Sequence, residues 1–119
     1  MAAPNIVNVS SITGKTSYLA VTTAVQDLVV NSAGSGKVYK LNSIIIANIN
    51  GTGAATITVW INRNSADFRI ASTIQVPANA SLVVLSKDAG LYLEEGDTLR
   101  ILGSANSWLN ATCSYEIIM

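Results

Sequence analysis

Hydrophobic and polar residues alternate along most of this chain in short runs, which are separated by Gly, Asn, Ser, Asp or Pro. Alternation with a period of two is typical of strands that bury one face. No window of a dozen residues shows the 3.6-residue spacing of an amphipathic helix. The runs lie at residues 6–12, 18–22, 27–30, 38–49, 55–62, 68–76, 81–85, 91–93, 98–102 and 108–117, and we expect them to form eight or nine strands.

Three local patterns add detail to this strand prediction. Residues 50–53, with the sequence Asn-Gly-Thr-Gly, are typical of a hairpin turn and predict that the strands on either side pair. Residues 13–15, with the sequence Thr-Gly-Lys, predict the end of the first strand. The adjacent residues Ile44, Ile45 and Ile46 predict either burial on both faces or a bulge where the strand changes sheets.

The order of the elements favours one architecture. Parallel strands need long crossover connections, which the short segments between these runs cannot supply. The sequence therefore predicts an all-β fold, a single antiparallel β-sandwich of the jelly-roll type that spans residues 1–119. Residues 1–9 are uncharged and are expected to form an extended N-terminal arm that can add a strand to a neighbouring molecule.

Charge and composition exclude several classes of function. Seven Lys and Arg balance seven Asp and Glu among 119 residues, which argues against a nucleic-acid partner because phosphate binding needs a cationic excess. The chain has no histidine, the commonest general base and zinc ligand. No apolar run approaches the length of a membrane span, and no secretory signal is recognisable, so we expect no membrane partner and a soluble intracellular product.

The motifs that could carry catalysis are incomplete. Gly14-Lys15-Thr16 lacks the earlier glycine of a phosphate-binding loop, and Gly36-Lys37 is not followed by Ser or Thr. Cys113, the single cysteine, lies among apolar residues of a predicted strand and has no histidine to activate it. We therefore expect no enzymatic activity and no cofactor.

The acidic turn formed by Glu94, Glu95 and Asp97, with Asp88 nearby, leaves three alternatives open. Clustered carboxylates can hold calcium, although these are too few for a complete coordination shell and match no EF-hand. A pair of carboxylates can act as acid and base. In the structural alternative this is a solvated turn, in which Gly96 adopts a positive φ and Asp97 caps the backbone.

The interface candidates are Trp60 and Trp108, together with Ile6, Val7 and Val9 of the arm. Each tryptophan falls on the polar side of an alternating strand, where a large aromatic side chain often anchors a protein or a sugar ring. The alternative is that each covers an end of the sandwich or fills a second core layer. Only 12% of the residues are charged, which favours a surface that is covered by other proteins.

Several stretches resemble small virion structural proteins of tailed bacteriophages, particularly those that infect marine cyanobacteria. They are MAAPNIVNV at residues 1–9, ITGKT at 12–16, GKVYKLNSI at 36–44, IASTIQVPA at 70–78 and YLEEGD at 92–97. The stretch LYLEEGDTL at 91–99 also resembles a turn in trimeric jelly rolls of the tumour-necrosis-factor type. The resemblance covers most of the chain, and its motifs are structural.

This resemblance implies a virion component that acts as a homo-oligomer, expected to be a trimer. The expected function is that of a capsid decoration or cement protein, bound to the major capsid protein or other virion proteins and stabilising the shell. The alternative is a tail, baseplate or fibre component that binds a host glycan or a protein. A lectin-like module that acts alone is a third class.

Overall fold

The computed structural model describes residues 10–119. Nine β-strands and one short 3₁₀ turn make up this part of the chain. The strands are β1 (Ile12–Ala20), β2 (Gln26–Val30), β3 (Val38–Asn48), β4 (Ala55–Arg63), β5 (Ala66–Val76), β6 (Ser81–Leu85), β7 (Leu91–Leu93), β8 (Thr98–Gly103) and β9 (Leu109–Ile118). The 3₁₀ turn, Lys87–Ala89, separates β6 from β7. No helix among these residues is long and apolar enough to cross a bilayer.

The strands form two antiparallel sheets that pack face to face. The front sheet has the order β1-β9-β3-β6, and β7 also pairs with β3. The back sheet has the order β2-β8-β4-β5. Apart from the β4–β5 hairpin and the broken β6–β7 strand, successive strands alternate between the sheets, which is the jelly-roll arrangement. The all-β sandwich prediction is confirmed, as is the predicted number of strands.

The predicted hairpin at residues 50–53 is wrong, because β3 lies in the front sheet and β4 in the back sheet. The buried amide of Asn48 directs the crossing: its Nδ2 donates to the carbonyl of Gly53 and to that of Val76 at the end of β5, both at 3.0 Å. The tight hairpin instead joins β4 to β5 through Asn64 and Ser65, whose φ angles of 53° and 63° suit a two-residue type I′ turn.

Two further strand predictions need correction. The segment Thr13-Gly14-Lys15 does not end a strand but lies inside β1, where each residue pairs with β9. The three adjacent isoleucines are not buried on both faces: Ile44 and Ile46 are fully buried, whereas Ile45 is exposed on the outside of the front sheet. The bulge is present, because the pairing of β3 with β6 shifts register between Ile44 and Ile45, but the strand remains in one sheet.

The core lies between the two sheets and is made of inward-facing aliphatic side chains. Ile57, Val59, Leu99 and Ile101 of the back sheet are fully buried. From the front sheet, the fully buried aliphatic side chains are Leu41, Ile44, Ile46, Leu93, Leu109 and Ala111. Each sheet therefore has one dry face, and its other face is available for contacts with a partner.

We predict that Ile101→Ala lowers the free energy of unfolding by about 2–5 kcal/mol, because it leaves a cavity between the sheets. Val25→Ala is the control, since Val25 is half exposed, and its cost is expected to stay below about 1 kcal/mol. Urea denaturation monitored by tryptophan fluorescence measures both. Equal losses in the two variants would contradict the assignment of Ile101 to the core.

Candidate assembly surfaces

The outer face of the front sheet carries a row of side chains that crosses four strands. Tyr18 of β1 pairs with Thr112 of β9, Thr112 with Ile45 of β3, and Ile45 with Val83 of β6. Tyr18 is 81% exposed and Val83 is 57% exposed. Because register partners lie about 5 Å apart, these four residues form one contiguous strip. We call it the apolar row.

The rows on either side of the apolar row contain small, uncharged side chains. One comprises Ala20, Asn110, Ala47 and Ser81, and the other comprises Thr16, Ser114 and Ser43. Charge enters this face where Lys40 pairs with Glu116. A shallow cleft lined by Tyr18–Ala20 and Asn110–Thr112 lies at the β1 end of the row. This face is suited to contact another protein without the desolvation of many charges.

The apolar row has no local signature in the sequence. Its members are far apart in the chain, and each one alone is an ordinary exposed residue of a strand. Tyr18, Ile45 and Val83 come together only through the pairing of four strands, so the sequence contained no local signal for the row.

Trp60 lies on the outer face of the back sheet, as its position in β4 predicted, but it is only 3% exposed. Its register partners are Arg69 of β5 and Arg100 of β8. The guanidinium of Arg69 sits 4.7 Å from the centre of the indole ring, a cation–π contact. The indole N–H has no acceptor among the described residues. The predicted interface role of Trp60 remains untested, and it would require Arg69 to leave the ring.

Trp108 lies immediately before β9, in the connection from β8. Its ring rests against Gly53, where an added Cβ atom would come within 2.7 Å of the indole. Its carbonyl accepts a hydrogen bond from the N–H of Ile49 at 2.8 Å. This packing matches the alternative in which the ring covers an end of the sandwich. A part in an interface remains a prediction.

The remaining interface candidates, Ile6, Val7 and Val9, lie outside the described residues, as does the predicted arm at residues 1–9.

The acidic turn between β7 and β8 forms an ion-pair network. Asp97 is fully buried, and its two carboxylate oxygens accept hydrogen bonds from Nε and Nη2 of Arg63 at 2.7 and 2.6 Å. The Glu94 N–H also donates to Asp97, and the Glu94 carboxylate accepts from Arg63 at 2.9 Å. The hydrogen bond to Asp97 and the two negative charges raise the pKa of Arg63 above its ordinary value.

The network extends to the loop between β2 and β3. Asn31 is fully buried, and its Nδ2 donates to the carbonyls of Lys37 and Leu93 at 3.0 Å. Backbone hydrogen bonds also join Asn31 to Gly96 and Asp97. The carboxylate oxygens of Asp97 are thus occupied by protein donors, and no group of acidic residues in the described part of the chain has the arrangement of a metal site. Gly96 has the positive φ of the structural alternative, and Asp97 caps the Glu94 N–H, but the turn is not simply solvated because the Asp97 carboxylate is buried.

Cys113 is fully buried in β9 between the sheets. Desolvation raises the pKa of its thiol to about 12, because the thiolate would lose its hydration there. The thiolate is the form of cysteine that acts as a nucleophile and that reacts to form disulfides. Cys113 is therefore a packing residue in the folded chain.

Comparison with known proteins shows similarity in fold only. No protein-family model matches the chain, and no curated protein is similar to it in sequence. A solved structure of Bacillus endospore appendages, described as a novel family of disulfide-linked pili, has a similar fold with a TM-score of 0.51. The two chains are 18% identical, and the match covers 92% of this chain and 88% of that one. Because the two chains share so little sequence, this match shows the fold alone.

We predict that Arg63→Met lowers the free energy of unfolding by about 1–3 kcal/mol, because the buried carboxylate of Asp97 keeps only the Glu94 N–H as a donor. The range allows for water, since the Arg63 side chain is 43% exposed. Arg100→Met is the matched control: its partner Asp27 is half exposed, and the expected loss is below about 1 kcal/mol. Urea titration distinguishes them, and a control as costly as Arg63→Met would contradict the network's structural role.

We also predict that stability falls as the pH rises above about 9, where an unfolded cysteine ionises. The folded chain keeps the Cys113 thiol protonated, since its pKa is about 12, so the unfolded state loses a proton that the folded state retains. Urea midpoints measured between neutral and alkaline pH should decline less steeply in Cys113→Ala than in the native chain. Parallel declines would show that the thiol does not contribute.

Proposed function

We propose that this chain is a structural subunit without enzymatic activity. Several copies of it would together cover the surface of a larger assembly. The apolar row is the observation that carries this proposal. Tyr18, Ile45 and Val83 leave apolar surface in water on an almost uncharged sheet face, and contiguous exposed apolar surface favours contact with another protein. The fold supports the same proposal, because a chain of similar fold is a pilus protein.

The particular assembly that we propose is the shell of a tailed bacteriophage, with the chain as a capsid decoration protein. The stretches at residues 12–16, 36–44, 70–78 and 92–97, which resemble virion structural proteins, support this choice. The expected partners are the major capsid protein and other copies of the chain, and the expected location is the virion. The resemblance implies a trimer, and a two-fold contact between copies through strand β1 would be the alternative to it.

The mechanism follows from linkage between binding and lattice stability. A ligand that binds one state of an assembly better than another shifts the equilibrium toward that state. The sparsely charged front face is suited to a site that exists only when shell subunits lie side by side. Occupancy of such sites would stabilise the assembled lattice against the pressure of packaged DNA.

Filament formation is a second candidate, which the fold likeness to the endospore pili favours. Those pili are disulfide-linked. This chain has one cysteine, and Cys113 is buried with a raised thiol pKa, so a filament of this protein would need contacts other than disulfides. A tail or fibre component that binds a host glycan is the remaining alternative. This glycan-binding alternative has less support, because Arg69 covers the ring of Trp60 and a sugar ring needs an accessible aromatic face.

Copy number in purified particles separates these candidates. We expect the chain to be present at about one copy per few major capsid subunits, as quantified by mass spectrometry against labelled peptides. Tens of copies per particle would indicate a tail or fibre component. Absence from particles, together with filaments of the purified chain in electron micrographs, would favour the filament candidate.

A matched pair of variants tests the front face directly. Val83→Glu places a charge in the apolar row and is expected to weaken binding to shells that lack the protein by at least about tenfold, because the carboxylate must be desolvated at the interface. Val25→Glu is the control, since Val25 is exposed to a similar degree but lies outside the row. Co-sedimentation with shells measures both, and equal binding would show that the row does not face the shell.

A further inference from the structure

The four edges of the two sheets differ in how they are protected against pairing. The back sheet ends in β2, which is short and bulged between Asp27 and Val29, and in β5, which is irregular at two places and contains Thr73 with a φ of 51°. One edge of the front sheet is split between β6 and β7 by a 3₁₀ turn. Bulges, twists and short strands are the usual devices against edge-to-edge pairing.

Within residues 10–119, β1 is the edge that lacks these devices. It is nine residues long, and every residue from Ile12 to Ala20 pairs with β9 without a shift in register. It contains no proline and has one charged residue, Lys15. A long, regular edge of this kind is a template for a further strand.

The hydrogen bonds at both ends of the β1–β9 pair show which backbone groups of β1 point toward β9 and which point away from it. Ser11 and Met119 exchange two hydrogen bonds, and the N–H of Val21 donates to Leu109. In an antiparallel pair such residues alternate with residues that point away from the partner strand. The odd-numbered residues between them therefore bond to β9. The even-numbered residues direct their N–H and C=O groups to the open edge: Ile12, Gly14, Thr16, Tyr18 and Ala20.

The even-numbered positions of one β1 strand are complementary to those of a second, antiparallel β1 strand. In an antiparallel pair of two β1 strands centred on Thr16, Gly14 faces Tyr18 of the other copy and Ile12 faces Ala20. A Cβ atom added at Gly14 would have nothing within 4 Å, so the space beside it is open to a tyrosine ring. An aromatic side chain opposite a glycine is a known way to stabilise a strand pair. Lys15 faces Ser17 in this register, so the two lysines are not directly opposed.

We propose that β1 pairs with β1 of a second copy about a two-fold axis through Thr16, so that the two front sheets become one continuous sheet. This contact rests on the proposed function as a self-assembling subunit and identifies its partner. The register gives about ten hydrogen bonds between the copies, two for each pair of edge-directed residues. A two-fold contact of this kind is isologous, because the same surface is used on both copies. It also places the two apolar rows on one shared face.

Sedimentation velocity of the full-length chain over a concentration series tests the pairing. We expect a concentration-dependent dimer of about twice 12.4 kDa. Thr16→Pro removes the central edge-directed N–H and should weaken dimerisation by at least about tenfold, while the fold survives because edge strands tolerate proline at such positions. Thr16→Val keeps the N–H and should dimerise like the native chain. A native chain that stays monomeric, or a proline variant that dimerises equally well, would overturn the proposal.

Tyr18→Ala and Tyr92→Ala form a second matched pair. Both tyrosines are exposed on the front sheet, but only Tyr18 lies on β1. We expect Tyr18→Ala to weaken the dimer several-fold and Tyr92→Ala to have no effect. The opposite result would place the contact at the β7 end of the sheet and would refute pairing through β1.

Cross-linking tests the register itself. In the proposed pair Thr16 faces its own equivalent at a Cα separation of about 5.5 Å, which a disulfide can span. Thr16→Cys is therefore expected to give a covalent dimer on mild oxidation, and the buried native Cys113 should not interfere. Ile12→Cys, which faces Ala20, should give little. Equal yields from both variants would refute the register.

The proposed dimer and the proposed shell contact can be refuted separately. If Val83→Glu loses shell binding but still dimerises, the β1 contact does not depend on the apolar row. If the native chain dimerises through β1 but is absent from phage particles, the pairing is supported and the proposed capsid role is refuted.

Discussion

The pairing of β3 with β9 is the contact on which the front sheet depends. These strands lie at residues 38–48 and 109–118, so their pairing joins segments that are far apart in the chain. β1 attaches to the free side of β9, and β6 and β7 attach to the free side of β3. Their inward side chains, Ile44 and Ile46 opposite Cys113 and Ala111, are fully buried. Without this pair, neither the core nor the outer face of the front sheet would exist.

Polar groups within the sandwich guide the connections between strands. The amide of Asn48 links the end of β3 to the end of β5, and the amide of Asn31 links the loop before β3 to the end of β7. Arg63 and Asp97 join β4 to the acidic turn. Burial of such groups is costly unless their hydrogen bonds are made. A different course of the chain would leave them without partners, so they favour one topology over its alternatives.

The outer faces of the two sheets differ in chemistry. On the back sheet, Trp60 has Arg69 and Arg100 as its register partners, and the guanidinium of Arg69 covers the indole ring. On the front sheet, Tyr18, Ile45 and Val83 are exposed with few charges near them. This asymmetry explains why the front sheet is the stronger candidate for assembly. The long regular edge of β1 belongs to the same sheet, so face and edge together offer a partner two kinds of contact.

The sequence by itself determined the strand content and the sandwich architecture, because the alternation of apolar and polar residues is a local property. Its composition also showed that no histidine is available for chemistry. It also placed Trp60 on an outer face and Cys113 on an inner one. Only the tertiary structure decided that residues 50–53 cross between sheets and that Asn64 and Ser65 form the tight hairpin. The apolar row and the β1 edge were likewise undetermined by the sequence. Both depend on which distant strands pair and in what register, and that choice is made by packing across the whole sandwich.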